Sequence, residues 1–165
     1  MEPAWGSSWA WGLILIATTI AGHALAVVLL ARRLQRTGAR GFQGRAFRHP
    51  IALPVALVTT VGLALAMLHG IEAAIWAIAY LSLGAVGSLR DAMLYSVDSI
   101  TTRGASGLML APHWRMLGAL ESEDGVLLFG ISTAFVFAVM QEIVLLAGRF
   151  QPPHITPEKA PRDWD

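Results

Sequence analysis

An all-α membrane protein is the fold class the sequence predicts, and three observations predict it. Only 14% of the 165 residues are charged and 55% are apolar, whereas a soluble domain carries about 25% charge. Three stretches, Trp9 to Ala31, Pro50 to Ile71 and Gly125 to Gln141, hold no Asp, Glu, Lys or Arg. About 20 apolar residues rising ~1.5 Å each cross a ~30 Å hydrocarbon layer, and a short soluble fold could not bury three such segments. The chain has no cysteine, which removes disulfides and thiolate metal sites from consideration.

The first span runs from Trp9 to Ala31. Residues 1–8 hold only Glu2 as a charge, so the basic start of a signal peptide is lacking. Trp5, Trp9 and Trp11 suit a membrane interface, and a retained helix is expected. A loop from Arg32 to His49 follows, with Arg32, Arg33, Arg36, Arg40, Arg45 and Arg48 and no acid. The positive-inside rule assigns it to the cytoplasm and the N-terminus to the outside. Its arginines also suit lipid headgroups, and Gly38, Gly41 and Gly44 read as flexibility. Residues 1–49 thus form one helix and a basic loop.

A pore-like region is expected over 50–148. The second span begins at Pro50 and is expected to run as one helix to about Val86, broken in polarity by Glu72. An acid inside a span is a candidate functional residue; the plainer reading is an interfacial acid near Trp76, or a partner for His69 or Arg90. Ser88 to Ile100 is amphipathic and too short to span. The small-residue run TTRGASG follows it. Irregular backbone at membrane depth survives only inside protein or along a cavity, so a short helix plus such a run between two spans reads as a re-entrant loop. The last span runs from about His113 to Gly148, with Pro112 at its start. The Pro-rich tail over 149–165 is expected to be disordered and cytoplasmic. Three crossings of the membrane are expected.

From His69 to Gln141 the chain resembles the bacterial two-transmembrane, pore-loop potassium channel superfamily. SVDSITTRGASG (Ser96 to Gly107) stands where the family has a pattern like S-V-E-T-x-T-T-V-G-Y-G-D. Trp114 stands at the family's spacing to the tryptophan that opens the inner helix, and GVLLFGISTAFVFAVM (Gly125 to Met140) looks like that helix. The resemblance implies a homotetramer in a bacterial inner membrane, each subunit giving three spans, a re-entrant pore helix and one filter loop, with filter carbonyls replacing the ion's hydration shell. Thr101, Thr102 and Gly104 match the family's filter. Arg103 replaces Val or Leu, Ala105 replaces Tyr, Ser106 replaces the second Gly and Gly107 replaces Asp.

These departures have physical consequences. Ser106 would have to take a positive φ that glycine takes freely, and Ala105 removes an aromatic cuff behind the filter. Four Arg103 guanidiniums near one axis would repel cations unless neutralised, since two unit charges 4 Å apart interact at about 4 kcal/mol at an effective dielectric of about 20. Asp98, Glu121, Glu123 and Asp124 are the acids expected to do this, with Arg103 paired to Asp98 and to Glu123 or Asp124 in a network behind the filter; the alternative is that Glu121, Glu123 and Asp124 sit in a wet vestibule. The function expected is therefore a cation channel, not strictly K+-selective, open to K+, Na+ or Ca2+. The alternatives are a non-conducting structural or regulatory subunit and an anion pore lined by Arg103.

Gly125 and Gly130 read equally as gating hinges and as close-packing positions. His23 and His69 are read as interhelical hydrogen-bonded histidines rather than metal or pH sites. Ser132 and Thr133 are expected to bond the preceding turn's carbonyls. No catalytic triad, zinc spacing, phosphate loop or nucleic-acid patch stands out. An enzyme, a cofactor, a metal site and a nucleic-acid partner are accordingly not expected; the partners are the bilayer and other copies of the chain.

Overall fold

The computed structural model describes residues 3–46, 51–104 and 106–148, with side chains over 6–36, 51–104 and 106–145. It is all-helical, with no strand among the described residues. Helix α1 runs Pro3–Ala46, α2 Ala52–Ser82, α3 Leu89–Ile100 and α4 Arg115–Gly148, the last entered through a 3-10 turn at Pro112–Trp114. Three helices are long and apolar enough to cross a membrane, over Gly6–Arg36, Ala52–Ser82 and Pro112–Leu145. Their outward faces carry exposed Leu13, Leu25, Leu63, Met67, Phe137 and Val144. A contiguous apolar exterior of this kind is foreign to a soluble monomer.

Two element boundaries differ from the sequence expectation. Helix α1 continues through the arginines to Ala46, where a flexible loop was expected. A helix already nucleated in the span extends at one hydrogen bond per residue fixed, and Arg, Leu and Gln propagate it well enough to outweigh the glycines. Helix α2 stops at Ser82, short of Val86. Gly84 takes φ +64, its N–H donates to the Leu81 carbonyl at 3.1 Å, and the Ala85 N–H donates to the Tyr80 carbonyl at 2.8 Å. This is a Schellman cap, and a glycine supplies its left-handed residue at no steric cost. The following turn feeds α3, whose N-cap Ser88 accepts the Asp91 N–H at 3.1 Å.

Side-chain contacts set the helix directions. Ser8 on α1 reaches the His113 carbonyl, Thr19 reaches Asp124 and His23 reaches Ser132. Helices α1 and α4 therefore run the same way, and α2 runs against them. The main core gathers Leu15, Trp76, Tyr80, Leu117 and Leu120 at one end. Helix α3 lies between α2 and α4. It begins beside that core, where Ala92 packs, and ends deeper, where Ile100 meets Ala73 and Leu128. The chain then returns: Leu110 rejoins the main core, and the Ala111 N–H donates to the Ala85 carbonyl at 3.0 Å.

Candidate functional site

The end of α3 and the loop after it hold most of the predicted site residues. The Thr102 N–H donates to the Ser99 carbonyl at 2.8 Å, and the Arg103 N–H donates to the Asp98 carbonyl at 2.9 Å. With Thr102 at φ +56, this is a second Schellman cap. A β-branched residue in the left-handed region is a genuine outlier, and such strain collects at functional positions. Gly104 at φ +62 and Gly107 at φ +71 keep the loop irregular. Thr101, Thr102, Arg103, Gly104 and Gly107 are exposed and Ser106 is half-buried; Ala105 lies outside the described residues. The run thus starts as a helix cap.

Asp98 organises this loop. One carboxylate oxygen accepts the Ser106 N–H at 2.8 Å, and the other lies 3.6 Å from the Arg103 Nε. Arg103 itself is 72% exposed at the side chain, whereas Asp98 is 7% exposed. The expected Arg103–Asp98 pair is present, as a long contact to a solvent-facing guanidinium.

The wider acid network expected around Arg103 is not formed among the described residues. Glu121 and Asp124 are fully buried, but they turn elsewhere. Glu121 accepts the Tyr80 hydroxyl at 2.6 Å and is also bonded to Ser96. Asp124 accepts the Thr19 hydroxyl at 2.7 Å and the Trp76 indole N–H at 3.0 Å, all through one oxygen. Glu123 is exposed on another side of α4. Residues 121 and 124 share a helix face, whereas 123 lies about 100° from 124, so three acids in four residues cannot converge on one partner.

Gly125 packs and does not bend: α4 continues unbroken through it, and a Cβ there would fall on the Ile100 backbone carbonyl. It is the point where α3 seats on α4. Gly130 faces open space within the chain. Thr133 bonds the Phe129 carbonyl at 2.8 Å, as expected of a hydroxyl in a span.

Ser132 departs from that expectation and closes a second polar cluster. Its Oγ lies 3.1 Å from Nε2 of His23 and 3.1 Å from Nε2 of His69. On the other side of the rings, Nδ1 of His23 is 2.7 Å from one Glu72 oxygen, and Nδ1 of His69 is 3.0 Å from the other. Glu72 therefore pairs with both histidines; the interfacial and Arg90 readings give way. His69 also stacks on Phe129 at 4.3 Å between centroids. His69, one of the alternatives the sequence offered for Glu72, is its partner, three residues away on α2. The interhelical hydrogen bonds expected of His23 and His69 are formed; that they converge on Glu72 and Ser132 was not foreseen.

The arrangement defines a helical chain with three membrane-length segments and a short helix and loop lodged between two of them. Comparison with protein-family models, curated proteins and solved structures gives no match.

Proposed function

We propose that the chain is a membrane-embedded pore protein in which α3 and the loop to Ala111 form a re-entrant element, four copies surrounding a cation path. The observation that carries this reading is the course of 89–111, which goes down from the main core to Leu128 and back to Ala85. Backbone of that irregularity at membrane depth calls for a wet cavity or surrounding protein, and Thr101 to Gly104 are exposed in the single chain.

Cations are favoured on two grounds. The C-terminal end of α3 points into the loop, and a helix C-terminus carries partial negative charge. Asp98 sits beside Arg103 and offsets its charge. The non-standard filter residues support weak discrimination among K+, Na+ and Ca2+. One observation favours a second reading, a non-conducting subunit: the cap at Thr102 folds the start of the loop onto α3, away from an extended carbonyl ladder.

Ion flux from liposomes holding the purified chain tests the proposal. Cation flux with K+, Na+ or Ca2+ is expected. Absence of flux for every ion supports the second reading, and Cl− flux lost in Arg103→Leu supports an anion pore.

A further inference from the structure

We propose that His23, His69 and Glu72 bind one first-row divalent metal ion of the zinc type, joining α1 to α2 midway along the spans. The cluster is apart from the 89–111 element, so it stands or falls independently of the pore reading. His23 and Glu72 are fully buried, and one ligand atom from each of the three residues lies within 4.8 Å of the others.

Three features of the cluster fit a metal better than a closed set of hydrogen bonds. The first is an unmet contact. Nδ1 of His69 and the Glu72 oxygen 3.0 Å away are both buried, yet they are off the hydrogen-bond direction and have no other partner. A buried polar atom without a hydrogen bond calls for an explanation, and an ion bonded to both atoms supplies one.

The second is the support around the rings. Both Nδ1 atoms face the carboxylate, and both Nε2 atoms face Ser132. A hydroxyl oxygen has two acceptor lone pairs. With the ring protons on Nε2, Ser132 accepts from both imidazoles and leaves both Nδ1 lone pairs free for one ion. Metal-bound histidines are typically oriented in this way by the N–H that does not face the metal.

The third is size and charge. Tetrahedral bonds of about 2.0–2.1 Å place ligand atoms about 3.4 Å apart. The carboxylate–imidazole contacts, at 2.7 and 3.0 Å, are shorter than that, so an ion has to open them by about 0.4–0.7 Å while drawing the two rings together, a rotamer-scale adjustment. Two imidazoles and a carboxylate select zinc, cobalt or nickel over the oxygen-seeking Mg2+ and Ca2+. Glu72 offsets part of the charge of a divalent ion, and a second buried acid, Asp124, lies nearby, bonded to Thr19 and Trp76 one turn from His23 and Glu72.

Cobalt is the probe. Tag-free full-length chain in detergent, stripped with chelator, is titrated with Co2+ and followed by its visible ligand-field bands. Saturation at one Co2+ per chain is expected, reversed by Zn2+. His69→Gln and Glu72→Gln should abolish the bands, and Ser132→Ala should weaken binding about 10–100-fold. A triple variant lacking the other histidines, His49→Gln with His113→Gln and His154→Gln, should bind as before. Should a ligand variant fail to fold, the wild-type melting midpoint decides, since an ion bound only to the folded state raises it. It should rise with Zn2+ and stay unmoved by Mg2+. Absent bands, binding that survives Glu72→Gln, binding lost in the triple variant, or a midpoint indifferent to Zn2+ would each overturn the site.

Discussion

The Trp76 indole N–H donates to an Asp124 carboxylate oxygen at 3.0 Å, and Thr19 donates to the same oxygen at 2.7 Å. One buried atom thereby ties α1, α2 and α4 together. Asp124→Leu strands the indole donor in an apolar interior, where a buried unmet group costs about 1–3 kcal/mol. Thr19 loses less, because its hydroxyl also reaches the Leu15 and Ile16 carbonyls. A lower unfolding midpoint and altered tryptophan fluorescence are expected for this variant.

Thr102 carries a left-handed backbone that costs a side-chain-bearing residue about 1–2 kcal/mol, at φ +56 in the cap that ends α3. Thr102→Gly removes that cost while adding some unfolded-chain entropy. A net stabilisation of up to about 1 kcal/mol is expected, read as a raised melting midpoint. A lowered midpoint would mean that the threonine side chain holds the loop in some other way.

Gly125 and Gly130 separate close packing from hinging. Gly125→Ala drives a methyl into the Ile100 carbonyl and should cost about 1–3 kcal/mol, as overpacking does. Gly130→Ala meets open space within the chain and should be neutral or slightly stabilising for the helix. Equal effects in denaturant unfolding would contradict the packing assignment.

Arg103 and Asp98 should behave unequally. The exposed guanidinium makes one long contact, and surface pairs of that kind contribute about 0–1 kcal/mol. Arg103→Leu should therefore leave stability nearly unchanged and alter ion flux alone. Asp98→Ala leaves the Ser106 N–H unmet and should lose about 1–3 kcal/mol. A large stability loss in Arg103→Leu would restore the network the sequence suggested.

The sequence made the helices plain and the tertiary polar contacts obscure. The three spans are legible as charge-free runs long enough for a bilayer, and SLRD marks the start of α3 because a serine followed by an acid caps a helix. The Asp98–Arg103 pair was within local reach, five residues apart across the end of α3. The acids at 121 and 124 were misassigned for want of their partners: Thr19, Trp76 and Tyr80 lie 41 to 105 residues away. Helical periodicity alone would have set Glu123 apart from them. In the second cluster the sequence marked Glu72 as an acid inside a span and His23 as an interhelical hydrogen-bonding residue, but not their meeting with Ser132, because the three sit on different helices.

Substituted-cysteine access tests the central claim, that the loop after α3 lines an ion path. The chain has no cysteine of its own, so Thr101→Cys, Arg103→Cys and Gly107→Cys each introduce a single reactive thiol. A cationic methanethiosulfonate reagent added to liposomes holding the purified variants should block the cation flux proposed for the chain. It should leave Leu63→Cys, on the exposed apolar face of α2, conducting as before. Full labelling of the loop cysteines, confirmed by mass, with flux unchanged would contradict the account.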